Sequence, residues 1–158
     1  MKIMKSGGFG LLESVVGAAI LTVIFVGGLT AFGNSLRLGR EAVRLTKASF
    51  LLQEGAEVLR LWRDAGWNNI AGLNADTVYY FNFNGSSWAT TTSASLIDGV
   101  FEREFRAADV YRDEADDIVP SGTLDPDTRQ FEVSVSWRSG NATTTRALKL
   151  YLTNLFDT

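Results

Sequence analysis

The chain has no cysteine and no histidine among its 158 residues, and only two prolines, Pro120 and Pro126. Without cysteine, any globular part must be stabilised by its core alone, and the composition says nothing about a redox compartment. Without histidine as well, nucleophile–base pairs built on histidine or cysteine cannot be assembled, and a zinc site would have to use carboxylates only. The expectation is a chain that is not an enzyme and carries no cofactor or metal. Basic charge is also short. The formal net charge is −3, from 15 Lys+Arg against 18 Asp+Glu, which argues against a broad electrostatic nucleic-acid surface. No nucleic-acid partner is expected.

What the sequence does have is one long apolar run, Phe9 to Phe32, with a single charged residue in it, Glu13. As a helix this run spans about 36 Å at roughly 1.5 Å per residue, enough to cross a hydrocarbon core of about 30 Å with some tilt. Membrane lipid is the expected surroundings. An ionised acid at the centre of a membrane helix costs about 2.5–3.5 kcal/mol on insertion scales, so it is expected to gain a partner. Cutting the chain between Gly8 and Phe9 would supply one, because it turns the Phe9 amide nitrogen into an ammonium at the depth of a carboxylate on a staggered neighbour. Gly10, Gly17, Gly27 and Gly28 lie in the same run, and small residues let helix backbones approach closely in lipid; glycine is also simply commoner in membrane helices. An ordinary signal peptide or signal anchor accounts for less. The run is longer than the roughly 7–15 residues of a cleavable apolar region, and Glu13 has no place in it.

The residues Lys5-Ser6-Gly7-Gly8-Phe9-Gly10-Leu11-Leu12-Glu13-Ser14, followed by Val15-Val16-Gly17-Ala18-Ala19-Ile20-Leu21, resemble the amino terminus of type IV prepilins and of the pseudopilins of type II secretion systems. The resemblance implies cleavage between Gly8 and Phe9 by a membrane prepilin peptidase, N-methylation of Phe9, and filament assembly through Glu13 with other pilin or pseudopilin subunits on an inner-membrane assembly platform. Gly10 departs from the family, which more often has threonine there, and no proline interrupts the apolar half. The absence of cysteine makes pilins with a disulfide-closed carboxy-terminal loop a poorer match. Counting Lys2 and Lys5 before the span against Arg37, Arg40, Arg44 and Lys47 after it leaves orientation open. The resemblance implies an amino terminus in the cytoplasm and a head outside, exposed at the cell surface in the filament.

Beyond Gly33 the pattern becomes amphipathic, with Leu45, Ala48, Leu52, Gly55, Leu59 and Trp62 on one stripe. Pairs such as Glu41 with Arg44, Lys47 with Gln53, and Glu57 with Arg60 or Arg63 are worth only about 0.2–0.5 kcal/mol each. Gly66, Asn68 and Asn69 predict a helix end near Asp64. Aromatic and β-branched residues then favour strands. Thr77–Phe83 and Ser87–Thr92 flank Asn84-Gly85, and Leu96–Arg106 reads as one strand. Along Arg129–Arg138, Phe131, Val133, Val135 and Trp137 alternate with polar residues; Ser139-Gly140-Asn141 turns the chain into Thr143–Thr153, where Leu148, Leu150 and Leu152 share a face. The segments Val133–Trp137 and Leu150–Asn154 resemble the tail of minor pilins of the PilV type and related minor pseudopilins.

The expected fold class is α+β and pilin-like, a long amino-terminal helix, membrane-spanning in its first half, packed against a carboxy-terminal antiparallel sheet. The divisions are a leader over 1–8, a transmembrane half over 9–33, an amphipathic half over 34–65 and a β-rich head over 66–158. Asp109, Asp113, Glu114, Asp116 and Asp117 read as one acidic loop, with Asp125 and Asp127 shortly after it. Their spacing lacks the order of a calcium loop, and a solvated connection is the simpler expectation. Trp67, Trp88, Tyr79, Tyr80 and Tyr111 are candidates for an exposed stacking platform, or for the edge of a small core. Arg103, Arg106, Arg112, Arg129 and Arg138 are interleaved with acids, which favours dispersed surface charge over a basic groove. An alternative in another class is a signal-anchored surface protein whose β-rich head binds carbohydrate or another ligand.

Overall fold

The computed structural model describes residues 9–155, with the side chain of Phe9 left aside. Two compact units divide the chain, Met1–Val43 and Arg44–Thr158. A single helix, α1 (Phe9–Ala65), runs through both. Its end at Ala65 lies one residue beyond the expected Asp64, where Gly66 at φ 152° breaks the helical geometry. The fold class is α+β: one long apolar amino-terminal helix and a carboxy-terminal antiparallel sheet.

In the first unit α1 is long and apolar enough to cross a membrane by length and composition. Its large apolar side chains, Leu11, Leu12, Ile20, Val23, Phe25 and Phe32 among them, are exposed. The hydroxyls in this stretch are satisfied locally. Thr22 Oγ1 donates to the Ala18 carbonyl at 2.8 Å and Thr30 Oγ1 to that of Val26 at 2.9 Å, so neither presents a bare polar group to an apolar medium.

In the second unit, the carboxy-terminal part of α1 lies on a seven-stranded sheet made of β1 (Tyr79–Phe83), β2 (Trp88–Thr91), β3 (Leu96–Ile97), β4 (Phe101–Arg112), β5 (Ile118–Val119), β6 (Thr123–Ser139) and β7 (Ala142–Thr153). The main path runs β2-β1-β4-β6-β7, with β3 and β5 also paired to β4. All these pairs are antiparallel. The expected alternation holds: Phe131, Val133, Val135 and Trp137 of β6 are buried against Ala48, Leu51, Leu52, Val58 and Leu59 of α1. Gly55 lets the helix come close, since a Cβ there would stand 2.9 Å from Val133 Cγ1 and 3.3 Å from the Phe81 ring. Aromatics fill the rest of the layer, with Phe81 and Phe105 ring centres 4.6 Å apart and Trp62 stacked on Phe81 at 5.7 Å. β7 is the outer strand. Of the face expected to be shared, Leu152 is buried and Leu150 packs on the core, but Leu148 is exposed.

Four features differ from expectation. The single strand over Leu96–Arg106 is a hairpin, because Asp98 (φ 50°) and Gly99 (φ 67°) turn the chain and the Val100 N–H donates to the Ile97 carbonyl at 3.1 Å. Two successive positive φ values are the mark of a type I′ turn, which aspartate–glycine favours. Next, the turn read at Gly66–Asn69 continues into a one-turn helix, α2 (Asn68–Ala71), which places Ile70 fully in the core. β6 also starts at Thr123 rather than Arg129; its pairing with β4 skips between Val110↔Asp125 and Asp109↔Arg129, so Pro126 sits in a bulge that asks for no ladder N–H. Fourth, the two-residue β5 answers to no sequence signal.

Candidate functional site

Glu13 is the residue on which the functional expectation turns, and α1 places it about one helical turn after Phe9. At a spacing of four, positions 9 and 13 share one helix face. The Glu13 side chain is exposed, and it meets no cation among the described residues. Gly8, and with it the expected cleavage junction and leader, lies outside the described residues. Within the run from Phe9 to Phe32, Glu13 sits near one end rather than at its centre. Its transfer into lipid is therefore less unfavourable than the mid-bilayer figure. At Gly10, Gly17, Gly27 and Gly28 a Cβ would meet nothing within 4 Å, so no contact of the chain itself requires glycine there.

No protein-family model, curated protein or solved structure matches the chain.

The acidic residues do not form one loop. Asp109 lies in β4 and Asp125 and Asp127 in β6, while Asp113, Glu114, Asp116 and Asp117 belong to the turn between β4 and β5. Most already have work. Arg129 Nη1 donates to Asp109 at 2.6 Å, and Arg112 Nε donates to Asp125 at 2.6 Å. The Asp113 carboxylate accepts the backbone N–H groups of Ala115 at 2.9 Å and Asp117 at 3.0 Å, fixing the turn. No group of three or more acidic side chains that could hold a metal ion occurs among the described residues. The Arg112 guanidinium holds the Asp125 carboxyl below the ordinary carboxylate range, and the same bond raises Arg112.

The arginines divide, contrary to the expectation of dispersed surface charge. Arg103 is buried at 5% exposure on the face of β4 that meets α1. Its Nη1 donates to the Leu51 carbonyl at 3.1 Å and to the Glu54 carboxylate, and its guanidinium lies 4.9 Å from the Phe81 ring centre and 5.4 Å from that of Trp88. Arg103 thus ties helix to sheet. Glu54 and Arg103 are 49 positions apart, so no local spacing rule links them. Lys47 pairs with Asp98 of the β3–β4 turn rather than with Gln53, Arg63 takes Asp64, and Arg60 pairs with Glu57 as expected.

The aromatic candidates are split between core and surface. Tyr79 is buried, while Trp67 and Trp88 pack on the core edge. Trp62, on the expected helix stripe, donates its Nε1–H to the Trp88 carbonyl at 3.3 Å. Tyr80 donates to Glu102 at 3.1 Å; burial first, then that carboxylate, raises its pKa. Tyr111 lines a shallow depression of about 330 Å³ with Gln130 and Tyr151. These side chains do not form one continuous stacking platform.

Proposed function

We propose that the chain is a structural subunit, a minor pilin or minor pseudopilin, of a type IV pilus-like filament. The observation that carries this reading is one carboxylate, Glu13, in the otherwise uncharged apolar run from Phe9 to Phe32 of α1, preceded by Gly8-Phe9 in the sequence. Support comes also from the architecture, in which a bare apolar helix leads into a head whose core is complete in itself. A prepilin peptidase cuts between Gly8 and Phe9 and methylates the new amine. The helix then leaves the bilayer for a bundle of like helices, where Glu13 meets the terminal ammonium of a neighbour. In apolar surroundings such a pair offsets the desolvation that either charge alone would suffer. Function lies in assembly rather than catalysis.

The test is paired. Mass spectrometry of the protein made with and without a prepilin peptidase should show a chain beginning at methylated Phe9 only in the first case. Glu13→Ala should leave the subunit in the membrane and exclude it from sheared filaments. Normal filament incorporation of Glu13→Ala, or of an uncut chain, would refute the proposal; unchanged surface display without any filament would favour a signal-anchored surface protein.

A further inference from the structure

We propose that Arg37 and Arg40 form a headgroup clamp that seats on the phosphates of anionic lipids in the leaflet at the carboxy-terminal end of the span. The inference rests on the membrane-inserted state proposed above. Three observations converge on it. From Ser14 to Leu36 the chain carries no ionisable side chain, and the 24 steps from Glu13 to Arg37 on a continuous helix measure about 36 Å at roughly 1.5 Å per residue. That is slightly more than a hydrocarbon core of about 30 Å, so when Glu13 sits at one boundary Arg37 reaches the headgroups at the other.

The two arginines are also available. Both are exposed, and neither makes an ion pair or a side-chain hydrogen bond among the described residues. The next two cations are engaged within the second unit: Arg44 Nη1 donates to the Arg138 carbonyl at 3.2 Å, and Lys47 pairs with Asp98. At a spacing of three, Arg37 and Arg40 share a helix face. Leu36 and Leu38, 47% and 72% exposed, provide apolar surface beside them for the boundary zone. The nearest acid, Glu41, follows Arg40 directly and leaves the pair with a net positive charge. A guanidinium fork matches phosphate geometry and stays charged at any pH a membrane survives.

The test uses the full chain reconstituted in vesicles of phosphatidylcholine mixed with phosphatidylglycerol. Electron paramagnetic resonance then compares spin-labelled forms of the two lipids in the motionally restricted population around the helix. An anionic surface strengthens association by roughly fivefold per basic residue, so the wild-type chain should select phosphatidylglycerol. R37Q/R40Q should lose roughly fivefold or more of that selectivity, R37K/R40K should keep most of it, and R60Q, an exposed arginine of α1 in the second unit, should keep all of it. Unchanged selectivity in R37Q/R40Q, or an equal loss in R60Q, would overturn the clamp while leaving the membrane reading intact. Absence of any restricted lipid around the wild-type chain would overturn both.

Discussion

Arg103 and Glu54 should respond unequally to mutation, because one member of the pair is buried and the other is not. The Arg103 side chain is 4% exposed and that of Glu54 49% exposed. Glu54→Ala strands a guanidinium between helix and sheet with only the Leu51 carbonyl for company. Breaking a fully buried pair costs about 3–5 kcal/mol; water reaching the vacated Glu54 side discounts this to about 2 kcal/mol. Arg103→Met instead removes the buried charge and refills its volume with an unbranched apolar chain. What is lost is the stacking over Phe81 and Trp88, worth about 0.5–2 kcal/mol, and what is gained is relief from desolvation, so the net loss should be about 1 kcal/mol or less. Once Arg103 is gone, the half-exposed Glu54 has little to lose. The double variant should therefore match Arg103→Met, giving a coupling energy of about 2 kcal/mol. Thermal unfolding of the full chain in detergent, followed by near-ultraviolet circular dichroism and tryptophan emission, would register this at roughly 3–4 °C per kcal/mol. The emission should respond locally, since Trp88 lies against the guanidinium. If Arg103→Met were clearly the worse single variant, or the two losses simply added, the assignment of the penalty to an unpaired buried charge would be wrong.

Gly55→Ala pits two terms against each other. Alanine gains about 0.8–1.0 kcal/mol in helix propensity, while a Cβ at 2.9 Å from the stiff Val133 side chain costs about 1–3 kcal/mol through overpacking. A net loss of about 1 kcal/mol is expected by equilibrium unfolding, rising steeply in Gly55→Val; a stabilised Gly55→Ala would show that the helix stands further off the sheet. Asp125 should make the head acid-sensitive. Its carboxyl titrates lower in the folded state than in the unfolded chain because Arg112 donates to it, so its contribution is complete above the unfolded value of about 3.9 and disappears as pH falls through the folded one. Melting temperatures measured from pH 6 down to pH 2 (about the range set by that linkage) should fall more steeply for the wild type than for Asp125→Asn, and parallel curves would sink the linkage.

Much of the fold was legible where one period dominates a segment. The stripe from Leu45 to Trp62 and the alternation from Phe131 to Trp137 each follow from a single face meeting a core. Local turn chemistry was legible too, at Asn84-Gly85, where Gly85 has φ 94°, and at Gly140 with φ 63°. It was missed at Asp98-Gly99, because Leu96 and Ile97 on one side and Val100 and Phe101 on the other look continuous as an apolar run. Arg103 was illegible for another reason. Alternation along β4 does set Arg103 on the face of Phe101 and Phe105 and Arg106 on the other, but the carbonyl and carboxylate that receive its guanidinium lie some fifty positions earlier in the chain. The candidate residue Glu13 is the reverse case: it stands out in the sequence as an exception in an uncharged run, and the structure adds only that its side chain is exposed.

β7 closes the sheet with a full-length strand of twelve residues that has no proline and no bulge. Its free edge is a template on which another strand could zip. The safeguard is its charge. Arg146 and Lys149 are the charged residues between Ala142 and Thr153, and Lys149 is met by Glu132 of β6 at 3.3 Å, so the repulsion between two copies laid edge to edge falls mainly to Arg146. That protection is electrostatic and hence conditional: it operates over a Debye length of about 8 Å at physiological salt and shrinks to about 3 Å at 1 M, so concentrated brine is the condition under which purified heads should begin to stick together.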